Sequence, residues 1–170
     1  LGDVDAAVER LYKAAVECGI EILQIKAARE KVENDGGSFD PLQFVQSELT
    51  QQELEKFYEL FNSYNEPKIL YSDAQDFLQQ LDEEEIYYIV LTYGTNSAWQ
   101  LLKVRASGYT GPVSVVHQTD KGAAIAEHKQ QDGTYQFIDH TNQIVFIAQT
   151  VCLIDDKVIA FQSLPKDCLG

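Results

Sequence analysis

The sequence predicts an α/β protein in which a mainly parallel sheet with helical crossovers follows a small all-helical region. Three observations carry this expectation. Helical spacing and capping signals fill the first 64 residues, helical and β-rich segments alternate after 67, and the apolar run 86–92 has the β-rich composition of a strand buried on both faces. Alternation of this kind favours parallel strands joined by helices.

In the first region, Val4, Val8, Leu11, Ala15 and Cys18 recur at helical spacing, with Asp3 or Asp5 as N-cap and Gly19 as the stop. A second helix runs through Ile22, Ile25, Ala28 and Val32 to the turn-forming residues Asn34, Asp35, Gly36 and Gly37. Asp40-Pro41 reads as an N-cap followed by proline at the first helical position, and Thr50 with Glu53 as a capping box. Beyond Pro67, Ser72 and Gln75 form the pattern of another capping box, and a helix is expected from about Asn96 to Ser107 with Gly108 at its end. The strand 112–116 precedes a helix capped by Asp120 that runs to about His128, and β-rich pieces follow at 135–138, 144–148 and 151–154.

The chain has 170 residues, 45% of them hydrophobic, which is enough for one domain with a core or for a core domain carrying a small insertion. Its 13 basic and 27 acidic residues give a net charge of −14, which would repel a nucleic-acid backbone or an anionic membrane surface. An anionic small substrate would need a local positive feature or a divalent cation. Three scattered cysteines make no disulfide framework, no CxxC pair exists, and no apolar run approaches the roughly 20 residues needed to span a bilayer. A cytoplasmic protein is expected.

In an open parallel sheet, ligands bind beyond the carboxyl ends of the strands. The run 86–92 leads into Thr92-Tyr93-Gly94-Thr95-Asn96, which can offer a hydroxyl and backbone N–H groups to an anion, or simply end a strand and cap a helix. Lys121 falls in the first turn of a helix, where a cation opposes the dipole unless an anion lies beside it. It either serves such an anion, or turns to solvent or to Asp120; as a cation at a helix start, its loss by Lys121→Ala is expected to leave stability unchanged or raised. After the apolar 151–154 come Asp155 and Asp156, adjacent carboxylates whose repulsion a divalent cation would relieve, although a turn gives the same letters. His117, His128 and His140 lack metal-pair spacing, and Trp99 reads as core.

Taken in order, Ile89-Val90-Leu91-Thr92-Tyr93-Gly94, Thr119-Asp120-Lys121-Gly122 and Val151-Cys152-Leu153-Ile154-Asp155-Asp156 resemble the second, third and fourth motifs of the haloacid dehalogenase superfamily. The resemblance runs from about Leu70 to Asp156, and the preceding helical stretch is similar to the small cap inserted between the first and second motifs. It implies a Rossmann-like core at 67–170, a helical cap at 1–66 and magnesium-dependent phosphohydrolysis of a small phosphorylated metabolite through an aspartyl-phosphate. By the same resemblance, Thr92, Tyr93 and Gly94 would hold the phosphate with Lys121, Thr92 and Lys121 would act in catalysis, and Asp155 and Asp156 would bind Mg2+. The family's first motif, a strand ending in Asp-x-Asp-x-Thr, is not seen. Asp3-Val4-Asp5 has the spacing, but a helix starts at once and the pair reads as an N-cap. The nucleophile is therefore expected upstream of Leu1, and a non-enzymatic phosphate-ligand-binding or regulatory domain of the same fold is the alternative.

Overall fold

The computed structural model describes residues 2–139, 143–155 and 158–168. The chain divides into two compact units, one made of 1–77 and 103–109, the other of 78–102 and 110–170. Among the described residues the class is α/β.

The first unit is helical. It holds α1 (Val4–Glu17), α2 (Ile22–Asn34), α3 (Pro41–Glu48) and α4 (Gln51–Ser63), and the chain leaves it within α5 (Ser72–Glu83). Asp3 caps α1, its carboxylate accepting from the N–H groups of Asp5 and Ala6. Asp40 caps α3 ahead of Pro41, and Thr50 with Glu53 closes both halves of a capping box on α4. Gly19 ends α1 at φ 98°, a conformation costly for a residue with a Cβ. The small side chains of α1, Ala7 and Ala14 among them, are fully buried and let α4 pack closely with Phe57 and Phe61. At Ser72 the expectation fails. The N–H of Gln75 already bonds the carbonyl of Tyr71, so the helix starts one residue early and Ser72 lies inside it rather than capping it.

Arg10 occupies the buried face of α1, with its charge satisfied by backbone oxygens. Its Nε donates to the Pro67 carbonyl at 2.7 Å, and its Nη1 donates to the carbonyls of Tyr64 and, at 3.3 Å, Ala106. Burial pulls its pKa below the usual arginine value, with Glu66 opposing.

The second unit holds β1 (Val90–Tyr93), the start of α6 (Ser97–Ala106), β2 (Val113–Val116), α7 (Lys121–Glu127), β3 (Tyr135–Ile138), β4 (Ile144–Ala148) and a 3-10 turn at Val158–Phe161. Its core gathers Ile125, Tyr135, Phe137, Leu153, Ala160 and Cys168, flanked by Ile89, Leu91, Phe146, Val151 and Leu164. The strands form two two-stranded sheets among the described residues: β1 and β2 are parallel, while β3 and β4 make an antiparallel hairpin.

Two expected strands are shortened or lost. The first begins at Val90 rather than at 86, because the preceding residues complete the end of α5: Glu85 adopts φ 55° and the N–H of Ile86 bonds back to the Leu81 carbonyl. Tyr87 is 87% exposed, far from burial on both faces. In 151–154 the structure has only an isolated bridge position at Cys152. Val151 and Leu153 pack on the core, but Ile154 points outward. An apolar composition is satisfied by this one-sided packing and does not require a ladder.

Replacing the buried Arg10 with Met should destabilise the protein by about 1–3 kcal/mol, since partly buried carbonyl acceptors lose a charged donor; an unchanged melting temperature would refute this. Gly122 tests the packing of α7. A Cβ there would lie 2.4 Å from the Leu164 nitrogen and 2.7 Å from its Cα. Gly122→Ala should therefore cost about 1–3 kcal/mol in urea unfolding, whereas an unshifted midpoint would mean that the 163–164 segment moves aside freely.

Candidate active site

The parallel register pairs Val90 with Val113 and Tyr93 with Val116, so both strands end level. The loops that follow thus emerge side by side at the carboxyl end of the pair. They are also bonded to each other: the Gly94 N–H donates to the Val116 carbonyl at 3.0 Å, and His117 Nδ1 lies 2.8 Å from the Gly94 carbonyl. A carbonyl oxygen only accepts, so Nδ1 carries the proton in this bond.

After β1, Asn96 caps α6 by accepting the Trp99 N–H at 3.1 Å. Trp99 is buried, as its apolar surroundings in the sequence suggested. Thr92 donates its hydroxyl to Gln100 Oε1 at 3.2 Å, Gly94 is buried and Tyr93 keeps its ring exposed. After β2, Asp120 caps α7, accepting from the N–H groups of Ala123 and Ser163 at 3.2 Å each. Hydrogen bonds, the Ser163 side chain foremost and then backbone N–H groups, hold its carboxyl below the ordinary aspartate range.

Lys121 turns neither to solvent nor to Asp120. Its Nζ meets Asp155 Oδ2 at 2.5 Å, with 19% of the lysine and 8% of the aspartate side chain exposed. The structure therefore brings together Lys121 and Asp155, and it sets Thr92, Tyr93 and Gly94 at the same strand end as His117. Thr92 and Lys121 direct their polar groups to Gln100 and Asp155 respectively.

Comparison with known proteins finds no matching family model, curated relative or solved structure.

Asp156 lies outside the described residues. Among those described, no group of three or more His, Cys, Asp or Glu side chains is placed to hold a metal ion. Asp155 supplies one carboxylate and directs it at an ammonium, so the described donors do not by themselves fit a magnesium ion, which needs several oxygen ligands.

Gln100 and the His117 bond escape a reading of the sequence. Gln100 does carry a faint signal, a polar residue between Trp99 and Leu101-Leu102, but its partner stands eight positions away on another element. Asp120 reads as a cap, while its bond to Ser163 joins residues 43 positions apart.

The Lys121 pair reverses the stability expected from the helix dipole alone. Lys121→Ala removes a cation from a helix start, yet it also leaves the buried Asp155 carboxylate without that ammonium. The second effect is the larger, and a loss of about 1–3 kcal/mol is expected. Adding Asp155→Asn should return most of it, because an amide needs no counter-charge. Thermal or urea unfolding of the four members of this cycle gives the coupling, and simple additivity would show that the pair contributes nothing.

Proposed function

We propose that the chain carries the phosphate-facing part of a haloacid dehalogenase-like phosphohydrolase acting on a small phosphorylated metabolite. The observation that supports this best is the pairing of Lys121 with Asp155, residues 34 positions apart in the segments that resemble the family's third and fourth motifs. The level ends of β1 and β2 add the third element, a hydroxyl and a glycine turn beside the same loops. In this reading β1 and β2 are two strands of a wider Rossmann-like sheet, 67–170 is the core and 1–66 is the cap.

The residues divide the work by chemistry. A phosphate at the Thr92 turn would receive the Thr92 hydroxyl and N–H groups of the turn other than that of Gly94, which the Val116 carbonyl already accepts, and Lys121 would neutralise charge on the equatorial oxygens. Asp155 keeps the ammonium at the strand end, against the helix dipole, when no anion is bound. Asp155 and Asp156 would contribute to magnesium, with further oxygen ligands from the Asp-x-Asp strand that also supplies the nucleophile.

Asp3 is not that nucleophile, because its carboxylate is bonded to the first N–H groups of α1. This observation favours a second reading, a phosphate-ligand-binding domain without turnover, for any form of the protein lacking an Asp-x-Asp strand.

The test is a screen of phosphate monoesters on the full-length protein with magnesium and with chelator. Magnesium-dependent turnover is expected, falling on the order of a hundredfold in Lys121→Ala. Phosphate binding without turnover would support the second reading, and neither turnover nor binding would overturn both.

A further inference from the structure

We propose that Gln100 is a positioning residue for the Thr92 phosphate contact, its side-chain amide turning to decide where the Thr92 hydroxyl proton points. This rests on the phosphate reading of the Thr92 turn and adds a residue that the motif resemblance does not include.

Three observations meet at this side chain. Gln100 is only 9% exposed, although it is a polar residue within a helix. Its Oε1 accepts the Thr92 hydroxyl at 3.2 Å. Its amide also fills the space above Gly94, where a Cβ would lie 2.1 Å from Nε2 and 2.5 Å from both Cδ and Cγ. A glycine at 94 is therefore what admits the amide to this position. The backbone is anchored as well, since the N–H groups of Trp99 and Gln100 bond to the side chain and the carbonyl of Asn96, at 3.1 Å each.

A threonine hydroxyl has one proton. While that proton points at Oε1, Thr92 presents only lone pairs to an incoming phosphate, and these repel it. Turning the amide over brings Nε2 to Thr92, so that Nε2–H donates to Oγ1 and the hydroxyl proton is released toward the anion. An amide can play both parts because one end accepts and the other donates. A carboxylate can only accept, and a thioether does neither usefully.

The experiment uses the full-length protein, following para-nitrophenyl phosphate turnover and calorimetric binding of inorganic phosphate. Gln100→Met keeps the length and removes the amide, and kcat/KM should fall by about 10–100-fold, the usual effect of losing a group that orients a ligand-contacting residue. In a Thr92→Val background the same change should have little further effect, because the hydroxyl it orients is gone. Gln100→Glu separates orientation from packing. Its carboxylate fixes the Thr92 proton and suppresses turnover at neutral pH, whereas protonation restores a donor, so activity should recover as pH falls, through an ionisation that the wild type lacks. Melting temperatures across the same pH range show whether the variants are folded.

A Gln100→Glu profile matching the wild type would overturn the proposal even if Gln100→Met does not fold. So would additive losses in the Thr92→Val cycle. An active wild type with unaffected variants sinks this inference alone, while a wild type that neither binds nor turns over phosphate removes the reading beneath it as well.

Discussion

Parallel pairing of β1 with β2 is the constraint from which the candidate site follows. Two parallel strands cannot be joined by a tight turn, so the chain must travel back through a crossover before it can pair. Here the crossover includes α6, and the register that results brings Tyr93 level with Val116. Gly94 and His117 then become neighbours across the strand ends and bond to each other. Each following helix must start from this end, and each does so with a side-chain cap, Asn96 on α6 and Asp120 on α7.

The charge of the chain sharpens the meaning of Lys121. Against a net charge of −14, one ammonium held at the strand end is a local exception to the prevailing field. Its bond to Asp155 does not by itself add much stability, because taking two charges out of water costs about as much as their attraction returns. The pair is better understood as holding a cation where the helix dipole disfavours it.

Local signals were legible in the sequence at most places where a residue acts on its own neighbours, the pattern at Ser72 being the exception. The caps at Asp3, Asp40, Thr50 and Asp120 require only a carboxylate or hydroxyl within three residues of a helix start. The glycines at 19 and 108 likewise mark positive-φ ends. What could not be read is set by distant partners. The apolar run at 86 predicts a strand, yet its first residues complete the end of α5, and the equally apolar 151–154 is packed on one side without a ladder. Composition reports that a segment has apolar surface to bury, while the partner that buries it decides between ladder and loop. Of the candidate site, residue types and order pointed to Thr92, Lys121 and Asp155. The buried amide of Gln100 depends on helix phase and on the absence of a Cβ at 94, which no motif records.

The two loops at the strand ends are held by different physics, and this bears on how they respond to conditions. The first is fixed by neutral groups: Asn96 on a backbone N–H, Thr92 on Gln100 and the Gly94 N–H on Val116. The second depends on charge, through Asp120 on backbone N–H groups and Lys121 on Asp155. Salt screens surface charges effectively but reaches a largely buried pair much less, so ionic strength should act weakly on Lys121 and Asp155. Acid acts differently. The Asp120 carboxyl is held below its ordinary range, so what its charge contributes is fully present above the unfolded aspartate value and is lost as pH falls through the lower folded value. Its bonds reach both the start of α7 and Ser163, so protonation loosens the helix start and the segment packed on Gly122 together. The loop bearing Lys121 is thus the acid-sensitive half of the site, while the Thr92 turn keeps its neutral bonds over the same range.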